Sequence, residues 1–89
     1  MELEFDRSFE KALDKIKDKK LFEAIEFLIL EYAEATTLKD LKNVRKIVGY
    51  SNYYRVKIGD YRMGIQFLKP NTIRFVTVLH RKDIYKKFP

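Results

Sequence analysis

From Tyr53 to Phe67 the chain changes side at every residue. Tyr54, Val56 and Ile58 share one parity, and Tyr53, Arg55 and Lys57 share the other. After Gly59-Asp60 the pattern resumes, with Tyr61, Met63, Ile65 and Phe67 on one face and Arg62, Gly64 and Gln66 on the opposite one. A period of two is the signature of a half-buried strand. A two-residue loop led by glycine favours a type II′ hairpin turn. This pins a register, because a slip of one residue would turn every apolar side chain to the wrong face. Ile58 should oppose Tyr61, Lys57 should oppose Arg62, and Arg55 should oppose Gly64. A loop of odd length would break that register.

The remaining elements follow from shorter signals. Glu2 to Phe5 alternates and reads as a short strand. Asp6 is a candidate N-cap, after which Phe9, Leu13 and Ile16 recur at helical spacing. Asp18, Lys19 and Lys20 interrupt the pattern, and lysines suit the negative end of a helix dipole. A second helix carries Leu21, Ile25, Leu28, Ile29 and Tyr32 as one stripe, with Glu23, Glu26, Glu31 and Glu34 mostly off it. The short connection makes these two helices an antiparallel hairpin. Thr37 followed by Asp40 resembles a capping box before a single turn, Leu38 to Lys42. Pro70-Asn71 marks a turn, Ile73 to Leu79 suits a central strand, and Lys82 to Phe88 forms a tail of about one helical turn.

The fold expected is α+β: a helical hairpin packed on one face of a small antiparallel sheet, in the order β-α-α-β-β-β, with a short C-terminal tail. The other face of the sheet is left partly open to solvent. The 89 residues suit one domain, 1–89. Seven Phe and six Tyr supply one core, but a chain this short has little room for an enclosed cavity. Functional groups should therefore lie in a surface groove.

Charge and composition narrow the function. There is no cysteine, which excludes disulfides, thiolate zinc ligands and thiol nucleophiles. Met1 to Arg7 is acidic without an apolar core of the signal-peptide type, and no apolar run approaches a membrane span. A cytoplasmic protein with no membrane association is expected. Residues 1–42 hold eight Lys/Arg against eleven Asp/Glu, and residues 43–89 hold eleven against two. A half so strongly cationic points to a polyanionic partner, although a basic surface can also serve solubility alone.

The hairpin register places that charge. Like charges directly opposed on neighbouring strands are destabilising, so Lys57 beside Arg62 needs a reason. A phosphate held between them would turn repulsion into a clamp, and Gly64 would let a ligand approach the sheet. His80-Arg81 closes the last strand, with Tyr85 four residues on. Histidine exchanges protons near neutral pH, arginine offers a planar fork to phosphate, and tyrosine offers a face to an unpaired base. The bland alternatives are a solvated basic face, an exposed histidine and a tyrosine that merely anchors the tail.

The run Tyr54 to Arg62, followed by His80-Arg81-Lys82-Asp83-Ile84-Tyr85, resembles the RelE/ParE toxin superfamily of type II toxin–antitoxin systems. The resemblance extends over nearly the whole chain, through the helical hairpin and the turn at Leu38 to Leu41. It implies a ribosome-dependent mRNA interferase, an endoribonuclease that needs no metal or other cofactor. The 2′-hydroxyl attacks the neighbouring phosphate of mRNA in the ribosomal A site. Carried over by position, Lys57, Arg62, His80, Arg81 and Tyr85 are the catalytic candidates. Arg55, Lys57, Arg62 and Lys82 are the RNA contacts. Arg55 departs from RelE, which has a lysine there as a candidate general base. Arginine is effectively never deprotonated, so Lys57 or His80 would have to assist proton removal. The resemblance also implies a cognate antitoxin, for which Leu68, Val76 and Val78 are weak surface candidates. A ParE-like inhibitor of DNA gyrase and a catalytically idle RNA-binding module are the alternatives.

Overall fold

The computed structural model describes residues 1–89. Strand β1 (Glu2–Phe5) leads into helix α1 (Arg7–Asp14) and helix α2 (Lys19–Glu34). A 3-10 turn (Leu38–Asp40) precedes strands β2 (Val44–Lys46), β3 (Tyr53–Ile58), β4 (Tyr61–Leu68) and β5 (Thr72–His80), and helix α3 (Arg81–Lys87) ends the chain. No helix is long and apolar enough to cross a membrane.

The five strands form one sheet in the order β1-β5-β4-β3-β2. The α+β architecture expected from the sequence is present, with three additions. β1 lies parallel to β5, pairing Leu3 with Ile73 and Phe5 with Phe75, so the sheet is mixed. β2 adds a fifth strand of three residues, too short for alternation to reveal. The tail is a helix of seven residues rather than a single turn.

The β3–β4 register is the one the hairpin signal dictates: Ile58 faces Tyr61, Lys57 faces Arg62 and Arg55 faces Gly64. Gly59 carries the positive φ (60°) that the turn requires of its first central residue. Thr37 and Asp40 form the capping box around the 3-10 turn. Lys19 and Lys20, however, open α2 instead of closing α1. The Asp18 carboxylate accepts from the N–H groups of Lys20 and Leu21 at 3.0 and 3.2 Å, and this cap outweighs the dipole preference of the lysines.

The main core lies between the sheet and the helical hairpin. Phe9, Ile25 and Tyr32 meet Val56, Met63, Ile65, Ile73 and Phe75 there, all of them at most 2% exposed. Leu13, Ile16, Leu21 and Ile29 pack at its edge. The Tyr32 hydroxyl donates to the Lys42 carbonyl at 2.8 Å, which ties α2 to the segment leading into β2. Burial, and secondarily the charge of Glu31, raises the Tyr32 hydroxyl well above the ordinary tyrosine range.

Strand β5 contains an irregularity that controls which of its side chains face which way. Gly64 pairs with Thr77 but Ile65 pairs with Phe75, leaving Val76 as an extra residue. Such a bulge reverses the parity of the strand. Ile73 and Phe75 therefore share the core face with Val78, and Val76 joins Leu79 on the opposite face. Val78 is 3% exposed and Val76 packs under α3, so neither offers the apolar surface that the sequence suggested.

That opposite face is not left bare. Ile84 and Phe88 of the C-terminal segment form a second, smaller core with Ile47, flanked by Tyr53, Val76 and Leu79. Gly64 provides the seat. A Cβ on this residue would lie 2.8 Å from three carbons of the Phe88 ring. The open space anticipated for a ligand at Gly64 is thus filled by the chain's own phenylalanine.

Candidate nucleic-acid interface

Three neighbouring strands place their basic side chains in cross-strand rows on the α3 side of the sheet. One row runs Arg45–Arg55–Gly64–Thr77, and the next runs Lys57–Arg62–Leu79. The missing side chain at Gly64 and the covering helix α3 bound the basic surface on one side. A groove of about 350 Å³ results, lined by Asn43, Val44, Arg45, Arg55, Lys57, Arg62 and Tyr85. It contains four cationic side chains and no carboxylate.

Each wall of the groove is held by a specific contact. The Arg62 guanidinium donates through one nitrogen to the carbonyls of Gly59 and Tyr61, both at 2.9 Å. These carbonyl dipoles offset part of the repulsion from Lys57, a local relief that strand alternation does not disclose. The Arg55 guanidinium sits 4.3 Å from the centre of the Tyr85 ring, in a cation–π stack. Tyr85 remains 68% exposed, so its free face and hydroxyl are open to a ligand. The tail is anchored by Ile84 and Phe88, and Tyr85 is free for other work.

Helix α3 is set in place by its start as well as its end. The Arg81 backbone N–H donates to the Asp60 carbonyl at 2.8 Å, joining α3 to the β3–β4 turn. His80 Nδ1 accepts from the Lys82 N–H at 3.1 Å and caps the helix. Arg81 and Tyr85 are one turn apart and share a helix face.

The structure thus brings together Arg55, Lys57, Arg62 and Tyr85 from the sequence-derived set. Arg81 and Lys82 are exposed on the first turn of α3, outside the groove lining. His80 stands elsewhere. It pairs with Tyr61 across β4 and β5, and their rings meet edge to face at 5.4 Å. That position is on the helical-hairpin face of the sheet, opposite Lys57 and Arg62. The β5 bulge sends it there, and its ring nitrogen is engaged as a helix cap.

Three groove residues were missed, Val44 and two polar ones. Arg45 lies opposite Arg55 through β2 pairing, and only that long-range pairing makes it a neighbour. Asn43 holds a left-handed backbone (φ 63°), which asparagine tolerates better than most residues. Its carbonyl accepts from Lys57 N–H at 3.0 Å and starts the pairing of β2 with β3.

Comparison with known proteins places the geometry in context. Residues 3–85 match the family model of the ParE toxin of type II toxin–antitoxin systems (parDE). The chain is 41% identical over 90 residues to Toxin RelE3 of Methanocaldococcus jannaschii, covering 100% of both. It superposes with a TM-score of 0.79 on a chain of the RelB–RelE antitoxin–toxin complex from Methanococcus jannaschii, at 40% identity, covering 97% of this chain and 99% of that one. A chain of the archaeal RelE–RelB complex from Pyrococcus horikoshii OT3 shares the fold, with a TM-score of 0.72 at 19% identity, covering 90% and 93% of the two chains.

Proposed function

The chain belongs to the RelE/ParE toxin family of type II toxin–antitoxin systems, and from that premise we propose that its basic groove binds and cuts mRNA. The observation that carries this reading is the convergence of Arg45, Arg55, Lys57, Arg62 and Tyr85 on one carboxylate-free groove. Four cations around one cleft suit a phosphodiester backbone, and an exposed tyrosine beside them suits an unpaired base.

The reaction proposed is attack by a ribose 2′-hydroxyl on its own 3′-phosphate. The O2′–P bond forms, the P–O5′ bond breaks, and the products are a 2′,3′-cyclic phosphate and a 5′-hydroxyl. Arg62, already oriented by two turn carbonyls, would hold a non-bridging oxygen as charge gathers on the phosphorus centre. Arg55, held against Tyr85, would take the other oxygen through its planar fork. Lys57 is the amine within the groove and would accept the 2′-hydroxyl proton in its neutral form, while water would protonate the departing O5′. His80 would act through α3, by capping the helix that carries Arg81 and Tyr85. Arg81 and Lys82, at the start of that helix, would contact the RNA backbone beyond the groove.

The intended substrate is mRNA in the ribosomal A site, and the regulator is a cognate antitoxin that masks the toxin in the cytoplasm. Support for the antitoxin comes from the solved relatives, which are antitoxin–toxin complexes. The matched family model bears the ParE name, which favours gyrase inhibition as a second reading. Two measurements separate the readings. Mapping mRNA 5′ ends in cells induced for the toxin should yield new 5′-hydroxyl ends within reading frames. A gyrase supercoiling assay should be unaffected. Blocked supercoiling with intact mRNA would overturn the ribonuclease reading, and RNA binding without new ends would reduce the protein to a binding module.

A further inference from the structure

A second groove adjoins the basic one and differs from it in chemistry. About 510 Å³ in volume, it lies between α2 and the end of the β3–β4 hairpin. Ala24, Phe27 and Glu31 line it from α2, and Asn43, Lys57 and Gly59 line it from the sheet side. Asn43 and Lys57 line both grooves, so a group attached to a phosphate held at the cations can reach from one into the other at the β3 edge. Beyond Asn43 no β2 residue pairs with β3, which leaves that edge uncovered.

The contents of this second groove select its occupant. Phe27 is 65% exposed, an aromatic ring presented to solvent on the outer side of α2, where Leu30 and Phe22 are exposed as well. Glu31 lies one turn further along the same helix, beside the cationic site. A carboxylate repels a phosphate, so the RNA backbone does not continue into this groove. A base does fit: aromatic rings stack unpaired bases, and a carboxylate accepts hydrogen bonds from exocyclic amino groups.

We propose that the groove between Phe27 and Glu31 receives the nucleobase next to the phosphate bound at Lys57, and that it prefers an amino-bearing base (cytosine, adenine or guanine) over uracil. Uracil flanks its one ring N–H with carbonyl oxygens, which the Glu31 carboxylate repels. This inference rests on the reading of the neighbouring groove as an RNA site and assigns that site its base preference.

The test is binding of the purified full chain to fluorescein-labelled octamers of cytidine, adenosine and uridine at low salt. Cytidine and adenosine octamers should bind about tenfold more tightly than uridine octamers, the size of one good hydrogen-bonded discrimination. Glu31→Ala should bring the ratio close to one without weakening uridine binding, since it removes an anion. Phe27→Ala should weaken all three octamers, and Arg62→Ala should weaken all three while leaving the ratio intact. Both Glu31 and Phe27 are exposed, so neither change should unfold the domain, and unchanged melting temperatures check this. Equal binding of the three octamers by the unaltered protein overturns the base preference, and if mRNA is still cut the ribonuclease reading survives. A preference that persists in Glu31→Ala also overturns it. Absence of any salt-sensitive binding overturns this inference and the RNA reading together. Selective binding without any mRNA cutting sinks only the catalytic reading.

Discussion

Phe88 packs its ring against the bare backbone of Gly64, so closely that an added Cβ would stand 2.8 Å from three ring carbons. This contact seats α3 on the sheet and thereby holds Tyr85 against Arg55. Gly64→Ala should expel the ring or force the strand to shift, at about 1–3 kcal/mol of stability. The loss should concentrate at the C-terminus. Hydrogen exchange should show faster exchange in α3 than in β3 and β4, together with reduced mRNA cutting. Unaltered protection of α3 would remove Gly64 from this role.

Arg62 reaches the groove with its guanidinium already tied to Gly59 and Tyr61 carbonyls. Arg62→Ala should lower the rate of mRNA cutting by about 10²–10³-fold, the usual cost of removing one preorganised donor to a charge-building oxygen. It should also reduce the salt slope of RNA binding by about 0.7. Arg81→Ala should weaken binding with a smaller effect on the cutting step, because Arg81 lies outside the groove lining. Undiminished cutting by both proteins would remove the assignment.

Tyr85 is 68% exposed and stacked with Arg55. An exposed cation–π pair contributes only about 0.5–1 kcal/mol, so Tyr85→Ala should barely change the melting temperature. Activity should fall much further than stability. Tyr85→Phe keeps the stack and loses the hydroxyl. Comparison of the two variants by cleavage rate separates stacking from hydrogen bonding.

Tyr32→Phe should destabilise the fold by about 0.5–1.5 kcal/mol, through the lost hydrogen bond to the Lys42 carbonyl. The same tyrosine makes the native state sensitive to alkali. Its acidity constant is raised in the fold, so its contribution is complete below the unfolded value, about 10, and declines as pH rises above it. Urea denaturation at pH 8 and pH 11 should show a smaller pH penalty for Tyr32→Phe than for the unaltered chain.

Acid acts through Asp6 and Asp40. The Ser8 hydroxyl and then Arg74 hold Asp6 below its ordinary 3.8, and the Thr36 hydroxyl with the Thr37 N–H does the same for Asp40. Both groups have depressed values in the fold, so their stabilisation is present above pH 3.8 and is lost as pH falls through the lower folded values. Asp40→Asn should lose part of that acid dependence, measurable as a smaller change in urea midpoint between pH 5 and pH 3.

Local chemistry was enough to determine the β3–β4 hairpin. Gly59-Asp60 sets the turn, alternation sets the register, and the pairing of Lys57 with Arg62 follows without any knowledge of the rest. The two helical stripes, the capping box at Thr37 and the cationic second half were equally legible, since each is written within a few turns of chain or in plain charge. Tertiary structure alone decided which side each group finally faces and what it meets there. Val76, an extra residue beside Phe75 that no local signal marks as a bulge, reverses the parity of β5 and carries His80 to the hairpin face, away from Lys57. Arg45 becomes a neighbour of Arg55 only because a three-residue edge strand docks there. Gly64 receives Phe88 because α3 folds back across the sheet. Each of these contacts joins segments distant in sequence, and its energy depends on shape complementarity that no short window of residues contains.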